Sequence, residues 1–141
     1  MFTIVKEFSF DAAHLLNAHD GKCKNLHGHT YKLQVEIESN ELIESGPKQG
    51  MVKDFAEIKE IVKSLVVDKL DHAFLYNKTN ASESSIASVL IADNLKVFPF
   101  ESRTTAEEMS RFIFDKLKNE GKLNIKKVRL WETQGSYCEY Y

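Results

Sequence analysis

His27-Gly28-His29 places two imidazoles two residues apart. In an extended chain such a pair shares one face, with about 7 Å between positions at a rise of ~3.3 Å per residue. The segment 27–39 alternates throughout, with Tyr31, Leu33, Val35 and Ile37 on one side and Lys32, Gln34, Glu36 and Glu38 on the other. Both histidines have the parity of the apolar side, so they point inward from the end of a core strand. His14 closes a strand-like run, Phe2 to Leu15, in which Ile4, Phe8, Phe10 and Ala12 share its parity. It is the natural third donor. Three neutral imidazoles leave one tetrahedral position open, which is the catalytic rather than the structural arrangement of Zn2+. One histidine at a strand end would be an ordinary polar residue; an inward pair joined by a third reads as a metal site. His19, in the polar loop with Asn17, Asp20 and Gly21, reads as a solvated loop residue.

Cys23 precedes His27 by four residues. It is open to three readings: a fourth zinc ligand, a small buried residue, or a nucleophile or base beside the metal. Lys22, Lys24 and a zinc ion would all favour its thiolate. Asp71-His72 joins a carboxylate to an imidazole at a helix end, a pair that can move protons near neutral pH but is also a common dipeptide. Glu132 shares parity with Val128 and Leu130. A carboxylate facing a core needs a donor partner, because burying it alone is costly. Either a salt bridge or a ligand presenting two adjacent N–H groups would serve, since a carboxylate accepts two parallel bonds. Cys138, between Tyr137 and Tyr140 in a terminal strand, reads as packing.

The elements that position these groups follow from periodicity. Strands are expected over Phe2–Leu15 and His27–Ser39. A loop around Gly46-Pro47 leads to Asp54, which with Glu57 caps a helix running to about Asp68 with the stripe Phe55, Ile58, Ile61, Val62 and Leu65. Leu70 to Leu75 closes it. Residues 79–85 are polar and read as exposed, 86–94 is open between a short helix and an ordered loop, and Val97–Phe100 is extended ahead of Pro99. Thr104 with Glu107, or Thr105 with Glu108, caps a second helix with the stripe Met109, Phe112, Ile113 and Leu117, ended by Gly121. Strands Ile125–Thr133 and Ser136–Tyr141 meet at the tight Gln134-Gly135 turn. The order ββααββ predicts one α+β domain over 1–141, a four-stranded antiparallel sheet with two helices on one face.

Composition sets limits. Nineteen basic and 21 acidic side chains give a net charge of -2, which lacks the basic field that tracks a phosphate backbone and argues against nucleic acid. No apolar run approaches the roughly 20 residues of a membrane span. Two cysteines are too few for a disulfide framework, and no signal peptide is visible, so the expected setting is the reducing cytoplasm.

Together, Phe10-Asp11-Ala12-Ala13-His14, Cys23 to Tyr31, Gly50-Met51-Val52-Lys53-Asp54-Phe55, Leu70-Asp71-His72, Thr105-Ala106-Glu107 and Trp131-Glu132-Thr133 resemble the 6-pyruvoyl-tetrahydropterin synthase / 6-carboxy-tetrahydropterin synthase family, which has the tunnelling (T-) fold. The resemblance implies that His14, His27 and His29 hold zinc, that Cys23 is the base and that Asp71 and His72 complete a proton relay. It implies that Glu132 anchors a pterin ring with Thr105 and Glu107. The three-residue gap between Cys23 and His27 is similar to the bacterial carboxy synthases of queuosine biosynthesis. At the second helix the family's frequent P-T-A-E-N reads Thr104-Thr105-Ala106-Glu107-Glu108, a departure at the pocket edge.

The implied reaction converts 7,8-dihydroneopterin triphosphate, with uptake of one water, to 6-carboxy-5,6,7,8-tetrahydropterin, acetaldehyde and triphosphate. Lys22, Lys24 and Lys53 are the conceivable phosphate partners. The resemblance further implies a homohexamer with sites at subunit interfaces. Two alternatives are a pyruvoyl synthase or side-chain aldolase on the same fold, and a non-catalytic zinc- or pterin-binding module. Cys23 and the Asp71-His72 pair stand against the last, since binding alone does not require them.

Overall fold

The computed structural model describes residues 1–141. Six strands form one sheet: β1 (Phe2–His14), β2 (His27–Ser39), β3 (Ala73–Asn77), β4 (Val97–Phe100), β5 (Ile125–Thr133) and β6 (Ser136–Tyr140). Three helices accompany them: α1 (Phe55–Val62), α2 (Ala81–Ala92) and α3 (Ala106–Asn119). The spatial order is β4-β3-β1-β2-β5-β6. Strands β1, β2, β5 and β6 are antiparallel neighbours, as their alternation predicts, and β1 pairs with β2 along its whole length, from Phe2 opposite Ser39 to His14 opposite His27.

The expected four-stranded sheet with two helices is therefore too small. Residues 73–77 and 97–100 add two short strands, β3 parallel to β1 and β4 parallel to β3, so the sheet is mixed. Residues 81–92 form α2 rather than an exposed polar stretch followed by an undecided one. Its start is marked by Asn80, whose side chain accepts the Glu83 N–H at 3.0 Å, a cap that sequence could have supplied. Its interior carries no stripe. Ile86, Val89, Leu90 and Ile91 are spread around the helix, and Val89 and Ile91 are exposed, so helical periodicity has nothing to report.

Asp54 caps α1 by accepting the Ala56 N–H at 2.8 Å, while Glu57 pairs with Lys48 and Lys53 instead of closing a capping box. After Val62 the helix widens through a π-turn at Lys63–Val67, then makes a last turn over Asp68–Leu70. Val66 and Val67 are both buried across the widened turn, and the chain leaves it directly into Asp71-His72.

One sheet face carries the core. Ile58, Val62, Val66 and Leu70 pack with Met109, Ile113 and Leu117 of α3 onto Phe10, Tyr31, Leu33, Val35, Val128 and Leu130. Full burial of each large aliphatic side chain contributes about 1.5–3 kcal/mol. The other face is covered only beside β3 and β4, where Ala87 of α2 meets Leu15 and Phe74. Elsewhere it is an open charged and aromatic surface: Lys32 reaches Glu7 at 3.0 Å and lies 4.7 Å from the Trp131 ring, and Arg129 lies 4.7 Å from the Tyr137 ring.

Candidate metal centre and active site

The β1–β2 register builds the histidine cluster. His14 stands opposite His27 and Ala12 opposite His29, all on the helix-covered face. The three rings form a triangle with centroid separations of 4.6, 4.9 and 5.1 Å. Gly28, between the two β2 histidines, lies opposite Ala13, and a Cβ there would stand 3.2 Å from the Ala12 carbonyl oxygen. A side chain at 28 would press on backbone, which has little room to give, and so would spread the strands that set the ring spacing.

Hydrogen bonds fix which nitrogen of each ring is free. His14 Nδ1 lies 2.9 Å from the Thr104 carbonyl and 3.2 Å from its hydroxyl. His27 Nδ1 lies 2.7 Å from the Asn25 carbonyl. A carbonyl only accepts, so both Nδ1 atoms carry the proton and both Nε2 atoms present lone pairs. Those Nε2 atoms lie 3.1 Å apart. Two lone pairs at that distance repel unless a cation stands between them. Nitrogens each ~2.0–2.1 Å from a shared tetrahedral ion would be about 3.3 Å apart. His29 Nε2 is buried with no hydrogen-bond partner, and the three donor atoms lie within 4.8 Å of one another. Burial lowers the pKa of His14 to about 4 and that of His29 in the same direction. Both rings are thus neutral near pH 7, the form that binds a metal. The residues present fit a transition-metal ion.

Beside the triad, a cavity of about 250 Å3 is lined by Leu16, Thr105, Glu107, Glu132, Tyr137 and Cys138 among others. Cys138, expected to be packing, is half-buried and opens onto it. Burial pushes the Glu132 carboxyl above its usual range; His27 partly offsets this and Glu107 adds to it. No lysine or arginine pairs with Glu132; the basic atom within ion-pair distance of it is His29 Nε2, at 3.5 Å. The salt-bridge reading of Glu132 is thereby weakened, and a carboxylate with unused acceptor capacity faces a cavity. Thr105 caps α3 by accepting the Glu108 N–H at 3.3 Å. Thr104, the other capping candidate, is fully buried against His14.

Asp71 and His72 lie elsewhere. His72 Nδ1 is 3.0 Å from Asp71 Oδ2, and the imidazole is 76% exposed. The dyad is clipped to β1, with Asp11 N–H donating to Asp71 Oδ1 at 2.9 Å and His72 N–H donating to the Asp11 carbonyl at 2.6 Å. His72 takes φ 58° there, the left-handed region, a conformation costly enough to need such anchoring. Lys96 Nζ donates to the Asp71 carbonyl at 2.5 Å. The Asp11 N–H above all, with His72 and Lys96 adding to it, holds the Asp71 carboxyl below its usual range against the opposing effect of burial. His72 borders a depression of about 610 Å3 whose floor runs along Asp11–Ala13 and Gly28–Thr30, and whose wall includes Phe74 and Leu90 of the α2 side. This is the open face. The structure brings together His14, His27, His29, Glu132, Thr105 and Glu107, while Asp71 and His72 are held beside Asp11 and line a different depression, on the open side of the sheet.

Cys23 sits in a short 3-10 turn, Lys22–Lys24, at the end of the sheet where His14 and His27 pair. Its carbonyl accepts the Leu16 N–H at 2.9 Å, its side chain is half-buried, and its thiol is free. His19 is more than a solvated loop residue, since its Nδ1 accepts the Gly21 N–H at 2.8 Å and shapes that turn. Lys22 and Lys24 are exposed, while Lys53 is committed to Glu57. Sequence reasoning missed Thr104, Asn25, Asp11 and Lys96. Asn25, and Thr104 in its shorter contact, act through backbone carbonyls, which any residue supplies, so no side-chain signal announces those bonds.

Comparison with known proteins gives one answer. The 6-pyruvoyl tetrahydropterin synthase family profile matches residues 3–141. A 6-carboxy-5,6,7,8-tetrahydropterin synthase of Haemophilus influenzae is 59% identical over 140 residues, covering 99% of each chain. The protein of the same name from Synechocystis is 36% identical over 141 residues, covering all of this chain and 94% of its own. Among solved structures, the Caenorhabditis elegans 6-pyruvoyl tetrahydropterin synthase aligns with a TM-score of 0.70 at 27% identity, over 99% of this chain and 94% of its own. An uncharacterized protein of Wolinella succinogenes shares the fold with a TM-score of 0.84 at 20% identity, over 99% and 97%. The chain belongs to the 6-pyruvoyl tetrahydropterin synthase family.

Proposed function

We propose that this chain is a 6-carboxy-5,6,7,8-tetrahydropterin synthase, a zinc-dependent lyase of queuosine biosynthesis acting on 7,8-dihydroneopterin triphosphate. The observation that carries the metal reading is the pair of Nε2 lone pairs 3.1 Å apart, each fixed by an Nδ1 bond to a carbonyl. The choice of product rests on the 59% identity to the Haemophilus influenzae synthase.

Bound zinc would polarise substrate side-chain oxygens as a Lewis acid. The remaining steps belong to the chain. Glu132, with free acceptor capacity, receives two ring N–H groups of the pterin, and Thr105 and Glu107 edge the same cavity. Cys23 removes the proton from the carbon beside the ring. His72, held in one orientation by Asp71, gives or takes the second proton. Because His72 faces away from the triad of its own chain, it would serve the centre of a neighbouring subunit, as in the homohexamer the family resemblance implies. No helix is long and apolar enough to cross a membrane; the substrate proposed is a small molecule and the setting proposed is the cytoplasm.

Product analysis with 7,8-dihydroneopterin triphosphate tests the reading. Acetaldehyde released in step with 6-carboxytetrahydropterin is the expected result. A pyruvoyl product without acetaldehyde would assign the chain to the pyruvoyl branch, and binding without turnover would make it a non-catalytic module.

A further inference from the structure

We infer that Thr104 is a positioning residue for the metal centre, holding His14 in its metal-binding tautomer; this rests on the metal reading above. Thr104 is fully buried, so no water can replace what it offers. Its carbonyl and hydroxyl both face His14 Nδ1, at 2.9 and 3.2 Å. The carbonyl, which can only accept, keeps the proton on Nδ1 and the lone pair on Nε2. The hydroxyl accepts the second branch of that bond and stops the buried ring from turning. Tyr31 Oη, also buried, is 3.5 Å from the same nitrogen and too far to take over the bond. Thr104 also directly precedes Thr105, the α3 cap that lines the Glu132 cavity. One peptide unit thus joins that cavity to His14. Partners of this kind, one bond removed from a metal, typically change its affinity by about 10–100-fold.

The test is a zinc titration of metal-free protein against a competing chelator, for wild type, Thr104→Val and Thr104→Ser. Valine keeps the shape and the carbonyl but loses the hydroxyl, and serine restores it. The expected result is about 10-fold weaker zinc binding by Thr104→Val and recovery to within about twofold by Thr104→Ser. Equal affinity of Thr104→Val and wild type would overturn the inference. Nitrogen-15 NMR of histidine-labelled, metal-free wild type adds a readout that needs no variant: a proton on Nδ1 of His14 is expected, and one on Nε2 would overturn it. Failure of wild type to bind zinc in the titration would overturn the metal reading itself, while the NMR result would still judge the role of Thr104.

Discussion

The two faces of the sheet hold two kinds of chemistry. On the covered face, His14 is fully buried, His27 and His29 are half-buried, and carbonyls commit His14 and His27 to one tautomer. On the open face, Asp71 is tied to Asp11 and Lys96, and His72 is solvent-facing, with its Nδ1 held by Asp71 and the rest of the ring exposed. A metal site benefits from rigidity, because its ligands must be preorganised and neutral. A proton donor benefits from exposure on the side where its partner docks. The contrast explains how thirteen-residue strands can carry both: neighbouring positions such as Asp11 and Ala12 fall on opposite faces.

Substitutions can break this comparison in order of expected effect. His27→Ala should abolish stoichiometric zinc and with it turnover, as metal analysis and product assay would show. His72→Ala should leave zinc content at the wild-type level while lowering kcat by about 10²–10⁴-fold, the range for a lost proton-transfer group. If His72→Ala also lost its metal, the separation of the two faces would be wrong. Glu132→Gln keeps the shape but replaces a charged acceptor with a neutral one. It should weaken pterin binding by about 10–100-fold, as expected for a charge-assisted bond, with zinc content intact, a difference that equilibrium binding of a pterin would report.

Protonation gives a smaller, graded effect confined to the covered face. Burial lowers the His14 pKa from 6.5 to about 4, so between those values the unfolded chain takes a proton that the folded one refuses. Stability of the metal-free protein should be flat above about pH 6.5 and fall as the pH drops toward 4, by about 3 kcal/mol from this residue. His29 shifts in the same direction. Urea unfolding at pH 7 and pH 4.5 measures the loss, and His14→Gln should flatten it. An unchanged slope in that variant would remove His14 as its source.

Much of this was legible in the residues. Strict alternation gave β1, β2, β5 and β6 almost to the residue, because each has one buried and one exposed face. Parity placed His14, His27, His29 and Glu132 on the core side, where the structure has them. Two things were not legible. The short strands β3 and β4 and the helix α2 lie where burial is nearly two-sided or the apolar residues surround the helix, so periodicity fades. The sidedness of Asp71-His72 was also hidden, because it depends on a parallel pairing of β3 with β1, between Ala12 and Ala73, across some sixty residues of chain. Only the register of that pairing sends Ala73 inward to the core and His72 to the other side.

Under the proposed function, the covered face of one subunit and the open face of a neighbour would supply the two halves of one reaction. Mixed assemblies test it most directly. His27→Ala chains keep an intact open face and His72→Ala chains an intact metal centre, and each alone should be nearly inactive. Co-assembled in equal amounts, they should recover about a quarter of wild-type turnover, the statistical share of sites that pair an intact triad with a neighbour's intact His72. Mixed assemblies no more active than the separate variants would contradict it.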